Sequence, residues 1–331
     1  MDNLLSLILC WGMLGSMNAK ELCEYATDLA YQGRVEEMCE AFEQAIAIDG
    51  TNESNYRYAF SMLLNGMWER GWRQLGEGLK KEISGYIEPW WNGEPCKKLV
   101  VYLEGGWGDR FQFMRYLGGV HAEFASRGSK VQGDFYTSLF NLPLARKLYD
   151  PAESTRPPYL STHPFYTERW KALLSGFSGY RVGIAWQGNP TRESEPHRSI
   201  PLRHFLTLAD IPGVVLLSLQ KNLGVEQLQG VKSVINLDSR LDESGRPPFS
   251  DTADVIQNLD LVITSDTAIA HLAGAMNRPV WLALNGRADW RWGLVGETTP
   301  WYPSMRLFRQ RTLGDWESVF QQIATELKKL A

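Results

Sequence analysis

A polar turn, Ser265-Asp266-Thr267, separates an apolar segment from a helix of small residues that begins at Ala268. Backbone N–H groups in the first turn of a helix have no partner within the helix, and the helix dipole adds partial positive charge there. A turn of this kind at the end of a strand is a binding site for anions, above all phosphate groups. We therefore predict that Asp266, Thr267 and Ala268 contact a ligand that carries phosphate.

His271 lies one turn into the same predicted helix. Helical side chains lean toward the amino terminus, so the imidazole would lie over Thr267 and reach an anion bound there. The small residues Ala273 and Gly274 next to it would allow close approach of a ligand. A core histidine bonded to a neighbouring carbonyl is the alternative interpretation.

A second turn, Gly105-Gly106-Trp107-Gly108-Asp109, follows a predicted strand. Gly105, Gly106 and Gly108 permit positive φ and close backbone contact with an anion or a substrate. The spacing is not G-x-G-x-x-G, and no Gly-Lys-Ser/Thr follows, which disfavours a nicotinamide dehydrogenase and a P-loop protein. Asp109 is either a helix cap or, at the mouth of a cleft, a general base.

Two polar and two cationic side chains are predicted near the same sheet edge. Ser218, Gln220 and Lys221 end a predicted strand, and Arg198 precedes a predicted helix. A cation at this edge would stabilise the charge that a leaving diphosphate gains as its bond to a sugar breaks. Solvated surface charges are the alternative. No H-E-x-x-H motif and no paired carboxylates indicate a metal.

Strands and helices alternate through the carboxyl-terminal half. We predict strands at 181–186, 214–219, 234–236 and 259–264, another strand after Pro279, helices at 202–208, 252–258 and 268–276, and a closing helix at 315–330. This order predicts an α/β fold with a doubly wound parallel sheet. Upstream we predict a strand at 98–103, a helix from the glycine turn to about Ser126 and a strand near Val131, and we assign no elements to 136–170.

The first quarter of the chain is predicted to be helical, because apolar residues recur with helical spacing between Ala19 and Lys81. Gly33 and Gly66 mark two similar turns, each followed by acidic or basic residues, at a period of about 33 residues. Helix pairs with this period look like tetratricopeptide repeats (TPR). A plain helical bundle is the alternative.

Composition limits the classes of function. The 331 residues carry a net charge of −4 and include no Lys/Arg cluster, which argues against a nucleic-acid partner. The four cysteines lack metal or disulfide spacing and predict reduced thiols in the cytoplasm. The apolar segment 4–14 is shorter than a membrane span and lacks the basic start of a signal peptide, so we predict an amphipathic first helix.

These motifs together resemble bacterial TPR glycosyltransferases, whose catalytic part is similar to the heptosyltransferases of the GT-B fold. The matching segments run from about residue 60 to the end. They are Gly71-Trp72, 91–95, 104–109 with 111–117, 182–190, 198–202, 218–221, 251–253, 266–268 with 271–275, 289–292, and 300–303 with 306–310.

The resemblance implies a GT-B enzyme with two Rossmann-like domains. The implied division is helical repeats at 1–88, a shortened amino-terminal Rossmann-like domain at 89–178 and a nucleotide-sugar domain at 179–331. Asp109 matches the general base of an inverting transfer to a hydroxyl acceptor. Lys221, Thr267 and Ala268 match contacts to the diphosphate, with His271 beside them. Neither a metal nor a cofactor is implied beyond the nucleoside-diphosphate sugar that serves as donor.

Two other functions remain compatible with these residues. One is a catalytically degenerate scaffold or sensor that binds a nucleotide sugar, and the other is a nonhydrolysing epimerase of the same fold. The repeats favour a protein or glycan as the partner. The nucleobase, the sugar and the acceptor are left open by the sequence.

Overall fold

The computed structural model describes residues 17–83, 89–126, 129–189, 198–242 and 245–331. The helix predicted at 4–14 lies outside these residues, as does Cys10. The described chain divides into two compact units. The first contains Met1–Glu104, Tyr116–Ser154 and Asp289–Val295 as far as they are described, and the second contains Gly105–Arg115, Thr155–Ala288 and Gly296–Ala331.

Four helices begin the first unit: α1 (Ala19–Tyr31), α2 (Val35–Asp49), α3 (Asn52–Leu64) and α4 (Trp68–Ile83). Asn18 caps α1, because its side chain accepts a bond from the Glu21 amide at 3.0 Å while the Glu21 carboxylate accepts one from the Asn18 amide at 2.9 Å. The helical prediction for this segment is confirmed.

The predicted repeat corresponds to two turns of the same backbone geometry. Gly33 and Gly66 have φ of 71° and 73°. In each turn the amide after the glycine donates to the carbonyl four residues before the glycine, at 3.0 and 2.9 Å respectively. Only glycine adopts this conformation without strain, which explains the spacing in the sequence. Membership in the TPR class stays a prediction.

A small parallel sheet completes the first unit. It consists of β1 (Leu99–Tyr102), β2 (Ala122–Ala125) and β3 (Phe135–Ser138) in the order β2-β1-β3. The strand predicted at 98–103 is confirmed.

The helix predicted to reach Ser126 is wrong, because α5 (Trp107–Phe113) ends early and β2 occupies 122–125. Gly119, with φ of 76°, helps to end the helical conformation. The strand predicted near Val131 is also wrong, since β3 begins four residues later. A short helix, α6 (Leu142–Arg146), follows.

The second unit contains a larger parallel sheet with its helices. The strands are β4 (Tyr180–Ala185), β5 (Val214–Ser218), β6 (Val234–Asn236), β7 (Leu261–Ser265), β8 (Val280–Leu284) and β9 (Met305–Arg309). The helices, besides α5, are α7 (Pro164–Leu174), α8 (Leu202–Leu206), α9 (Ser250–Gln257), α10 (Ala268–Ala275) and α11 (Trp316–Leu327). In the described chain the strand order is β6-β5-β4-β7-β8-β9 with every pair parallel. The predicted α/β fold is confirmed, although β9 was not among the predicted strands.

Burial explains why these segments form central strands. Every residue of β7 and of β8 is buried, as expected for parallel strands that are covered on both faces. Phe205 of α8 and Phe320 of α11 pack together with ring centroids 4.6 Å apart, in the same core as Trp186 and Trp281. The predicted border between 178 and 179 lies inside the second unit. The division into three domains stays a prediction.

Candidate functional site

The strand order of the second unit reverses at one point of the sheet. Chain order runs outward in one direction from β4 to β6 and in the other direction from β7 to β9. In open parallel sheets, ligands bind outside the carboxyl ends of the strands at the point where the order reverses. Here that point lies between β4 and β7. The turn Ser265-Asp266-Thr267 is the carboxyl end of β7.

Thr267 begins helix α10 in an extended conformation, with φ −141° and ψ 173°. Its hydroxyl lies 3.2 Å from Thr264 Oγ1, and among the described residues it makes no capping bond to the helix. The first turn of α10 therefore presents its amides without a side-chain cap from Thr267. Ser265 Oγ is buried beside this turn with no hydrogen-bond partner in the described part of the chain. These features favour an anion at this helix end.

Asp109 is buried in the first turn of α5, with 6% of its surface exposed. Its Oδ2 accepts a hydrogen bond from the Gly106 amide at 2.5 Å. Gly105 has φ of 76°, and a side chain there would collide with the Asp109 carboxylate. The Asp109 carboxylate therefore caps the helix, and only a glycine turn can approach it this closely. Its role as a general base stays a prediction.

Gly108 brings α5 directly against α10. A Cβ added to Gly108 would lie 2.8 Å from Cδ2 and 3.5 Å from Nε2 of His271, and 3.5 Å from the Ala268 Cα. Any residue larger than glycine would require the His271 ring to turn or the two helices to move apart. The structure thus places the helix that carries Asp109 against the predicted phosphate turn.

His271 is buried and has a hydroxyl partner. Its Nδ1 lies 2.9 Å from the Tyr302 hydroxyl, and 5% of the residue is exposed. The other side of the ring faces Gly108. The predicted reach of His271 to an anion at Thr267 stays a prediction, and the sequence analysis did not predict the contact with Tyr302.

Gln220 is tied to the backbone rather than turned to a ligand. Its side-chain oxygen accepts from the amides of Trp186 and Gln187 at 3.0 and 3.1 Å, and its side-chain nitrogen donates to the carbonyls of Gln187 and Leu223 at 2.9 and 2.7 Å. These four bonds use the full capacity of the carboxamide. Ser218 is fully buried, and its hydroxyl accepts from the Gln220 amide at 3.2 Å. Both side chains thus bond to the backbone at the ends of β4 and β5, and their contact with a donor stays a prediction.

Lys221 also bonds to the backbone. Its Nζ donates to the carbonyls of Asp238 and Leu241 at 2.9 and 2.6 Å. The ammonium thus holds the segment after β6 at the carboxyl edge of the sheet. Beyond this segment, Phe249 packs against Trp107 and Phe111 of α5, with ring centroids 5.5 and 5.4 Å apart.

Substituting Lys221 by Met should lower the free energy of unfolding by about 1–3 kcal/mol, because two carbonyls lose a charged donor. The measurement is urea unfolding of the full chain. Lys232→Met, at an exposed position, is the control and should cost less than about 0.5 kcal/mol. Equal stability of Lys221→Met and the unaltered protein would show that the two bonds do not support the fold.

Arg198 contacts Gly188, which follows the end of β4 by three residues. A Cβ on Gly188 would lie 2.8 Å from its Nη2, so the guanidinium rests directly on the glycine backbone. Residues 190–197, which precede it, lie outside the described residues. Arg198, like Lys221, therefore lies near the carboxyl edge of the sheet.

Three residues of the second unit that contact one another were not predicted from the sequence as site residues. Arg115, Tyr159 and Tyr302 lie together behind α5 and α10. Arg115 and Tyr302 fall inside the motifs that carry the resemblance, but no spacing rule indicated that they meet. Burial raises the pKa of the Tyr159 hydroxyl, and the neighbouring Arg115 opposes this effect.

The described residues contain no group of three or more His, Cys, Asp or Glu side chains placed to hold a metal ion. In the same part of the chain, no helix combines the length and the apolar character that crossing a membrane requires. Cys23, Cys39 and Cys96 are thiols in the described structure.

The match to a known protein family lies mainly in the second unit. Residues 215–314, from β5 to the turn after β9, match the model of glycosyltransferase family 9 (heptosyltransferase). Over 202 residues the chain is 30% identical to Protein FlbA of Caulobacter vibrioides, which covers 60% of this chain and 32% of FlbA. The chain thus spans about a third of the length of this curated relative.

Two solved structures match a large part of this chain. A glycosyl transferase family 9 protein from Veillonella parvula matches with a TM-score of 0.50 and 11% identity, over 72% of this chain and 99% of its own. E. coli heptosyltransferase WaaC matches with a TM-score of 0.42 and 12% identity, over 71% and 100%. The first of these supports an α/β fold with parallel sheets. Residues 215–314 are therefore similar to glycosyltransferase family 9 (heptosyltransferase).

Proposed function

We propose that this chain is a glycosyltransferase that moves a hexose or heptose from a nucleoside-diphosphate donor to a hydroxyl acceptor. The observation that carries the proposal is the contact between α5 and α10 at Gly108, which brings the helix of Asp109 against the phosphate turn at Thr267. The family match supports it, because residues 215–314 include Lys221, Thr267 and His271.

In the proposed mechanism Asp109 acts as the general base. Its carboxylate takes the proton of the acceptor hydroxyl as the oxygen attacks the anomeric carbon from the face opposite the diphosphate. The bond between that carbon and the diphosphate oxygen breaks, the electron pair leaves with the diphosphate, and the configuration inverts. One carboxylate suffices for this displacement.

Charge on the leaving diphosphate must be stabilised as it develops. The amides at the start of α10 and the Arg198 guanidinium are the groups that we assign to this role, with His271 beside them. Lys221 contributes a positive charge at the same sheet edge while its protons bond to carbonyls. We propose that these groups allow transfer without a metal or another cofactor.

The remaining parts of the proposal concern partners and location. The helical repeats α1 to α4 would bind a protein or glycan acceptor. The cytoplasm is the expected location, because the thiols carry no disulfide spacing.

A sensor or scaffold that binds a nucleotide sugar without turnover is the second candidate. The observation that favours it is the engagement of Gln220 and Lys221 in backbone bonds, which leaves them less available to a reacting donor.

Calorimetric titration of the full chain with ADP, GDP, UDP and CDP distinguishes these functions. We expect at least one nucleoside diphosphate to bind with a Kd below about 1 mM. Hydrolysis or transfer is then measured with sugars linked to that nucleotide. Binding with turnover supports the transferase, and binding without turnover for any sugar supports the sensor. Absence of binding to all four nucleotides would contradict both functions.

A further inference from the structure

Helices α5 and α10 contact each other at Gly108, and Tyr159 also connects them near their carboxyl ends. The Tyr159 amide donates to the carbonyl of Ala275, the last residue of α10, at 3.0 Å. The Tyr159 hydroxyl donates to the carbonyl of Gln112 in α5 at 3.3 Å. One residue therefore bonds to both helices. The pair is held at two points, so neither helix can rotate alone without breaking a bond.

Arg115 extends this junction to a third segment. It is 1% exposed, and its Nε donates to the Gln112 carbonyl at 3.1 Å while its Nη2 donates to the Trp301 carbonyl at 2.8 Å. Its guanidinium carbon lies 5.1 Å from the ring centroids of Tyr159, Trp301 and Tyr302 alike. A buried cation is tolerated only when hydrogen bonds and aromatic faces replace its water. The position of the 301–302 segment is therefore fixed relative to α5.

Tyr302 is held from the other side by α10. It is fully buried, and a Cβ added to Gly274 would lie 2.6 Å from the Tyr302 Cγ, so the ring lies flat against the helix backbone. With its ring held between Arg115 and Gly274, the Tyr302 hydroxyl reaches His271 Nδ1 at 2.9 Å.

We propose that Tyr302 is a positioning residue for the phosphate end of the site. Its hydroxyl holds the His271 imidazole in one orientation, with Nε2 on the side of Gly108 and the helix of Asp109. A hydrogen-bond partner on one ring nitrogen fixes the direction in which the other nitrogen points. This inference rests on the proposed function, because it assigns to Tyr302 a part in presenting His271 to the donor diphosphate.

Tyr302→Phe is the variant that tests the proposal. It deletes one hydroxyl while the ring that Arg115 and Gly274 hold stays in place. We expect the Kd for the bound nucleoside diphosphate to rise about tenfold, the size typical of losing a group that orients a ligand-binding histidine. Tyr180→Phe is the control. It deletes a hydroxyl at the amino end of β4, at the edge of the sheet opposite the carboxyl ends of the strands, and should change this Kd by less than about twofold.

A double-mutant cycle separates a positioning role from general support of the fold. In a His271→Gln background, Tyr302→Phe should change the Kd by less than about twofold, because the group on which Tyr302 acts is gone. An undiminished tenfold effect in that background would overturn the proposal, since Tyr302 would then act by another route.

Nitrogen-15 NMR of the protein without ligand tests the bond itself. The ring-nitrogen signals of His271, assigned by their loss in His271→Gln, should shift in Tyr302→Phe, because Nδ1 loses its hydroxyl partner, and should not shift in Tyr180→Phe. Identical His271 signals in Tyr302→Phe and the unaltered protein would overturn the proposal. This readout needs no nucleotide, so it is distinguishable from a failure of the proposed transferase function.

Discussion

Asp109→Asn is expected to reduce sugar transfer by about 10²- to 10⁴-fold, the range that a general base contributes. Asparagine keeps an oxygen that can accept the bond from the Gly106 amide, so the glycine turn should keep its shape. What is lost is the ability to take a proton. The measurement is initial-rate transfer with the donor identified by titration, and the Kd for the nucleoside diphosphate should stay within about twofold.

Asp315→Asn provides the matched control for this substitution. Asp315 also accepts a bond in the first turn of a helix, from the Ser318 amide at 3.1 Å, but it is exposed at the start of α11. Asparagine caps helices as well as aspartate does, so activity and stability should be unchanged. Transfer by Asp109→Asn at the rate of the control would remove the general-base role and leave Asp109 as a helix cap.

Gly108→Ala should lower transfer by about 100-fold, the cost of displacing catalytic groups by about 1 Å. The added methyl group would lie 2.8 Å from the His271 ring, so either the ring must turn or α5 must move away from α10. Overpacking costs about 1–3 kcal/mol, while replacing a helical glycine by alanine returns up to about 1 kcal/mol. The transfer rate should therefore fall by more than a loss of folded protein would explain.

Gly176→Ala is the control for this change, because a Cβ there would meet no atom within 4 Å. Transfer rates and thermal unfolding are compared for the two variants. If Gly108→Ala retained full activity, the close approach of α5 and α10 would not be needed for transfer, and the observation that carries the proposed function would lose its force.

Local patterns made much of the fold predictable. The run from Leu261 to Ser265 is apolar or buried throughout and is followed by a polar turn and small residues, so the strand and the start of α10 could be predicted from neighbouring residues alone. The turns at Gly33 and Gly66 were predictable for the same reason, since a positive φ favours glycine at that position. The helix predicted to reach Ser126 was wrong because Gly119 adopts a positive φ and β2 follows it.

The candidate site was predictable only in part. The sequence placed Asp109, Thr267 and His271 at strand ends, because a parallel sheet brings its carboxyl ends to one edge. It also marked Gln220 and Lys221, but not that their polar atoms bond to the backbone of neighbouring turns. The fold decides which backbone groups lie close enough to bond to these two side chains. The spacing of residues in the sequence does not specify those groups.

The sequence by itself determined the α/β class, the helical repeat and the types of residue available for chemistry, since period, glycine positions and charge are local properties. Only the tertiary structure decided that α5 packs on α10 through Gly108 and that Tyr302 bonds His271. These contacts join segments distant in the chain. They arise when packing of the whole second unit brings the segments together, and no local periodicity specifies which segments will meet.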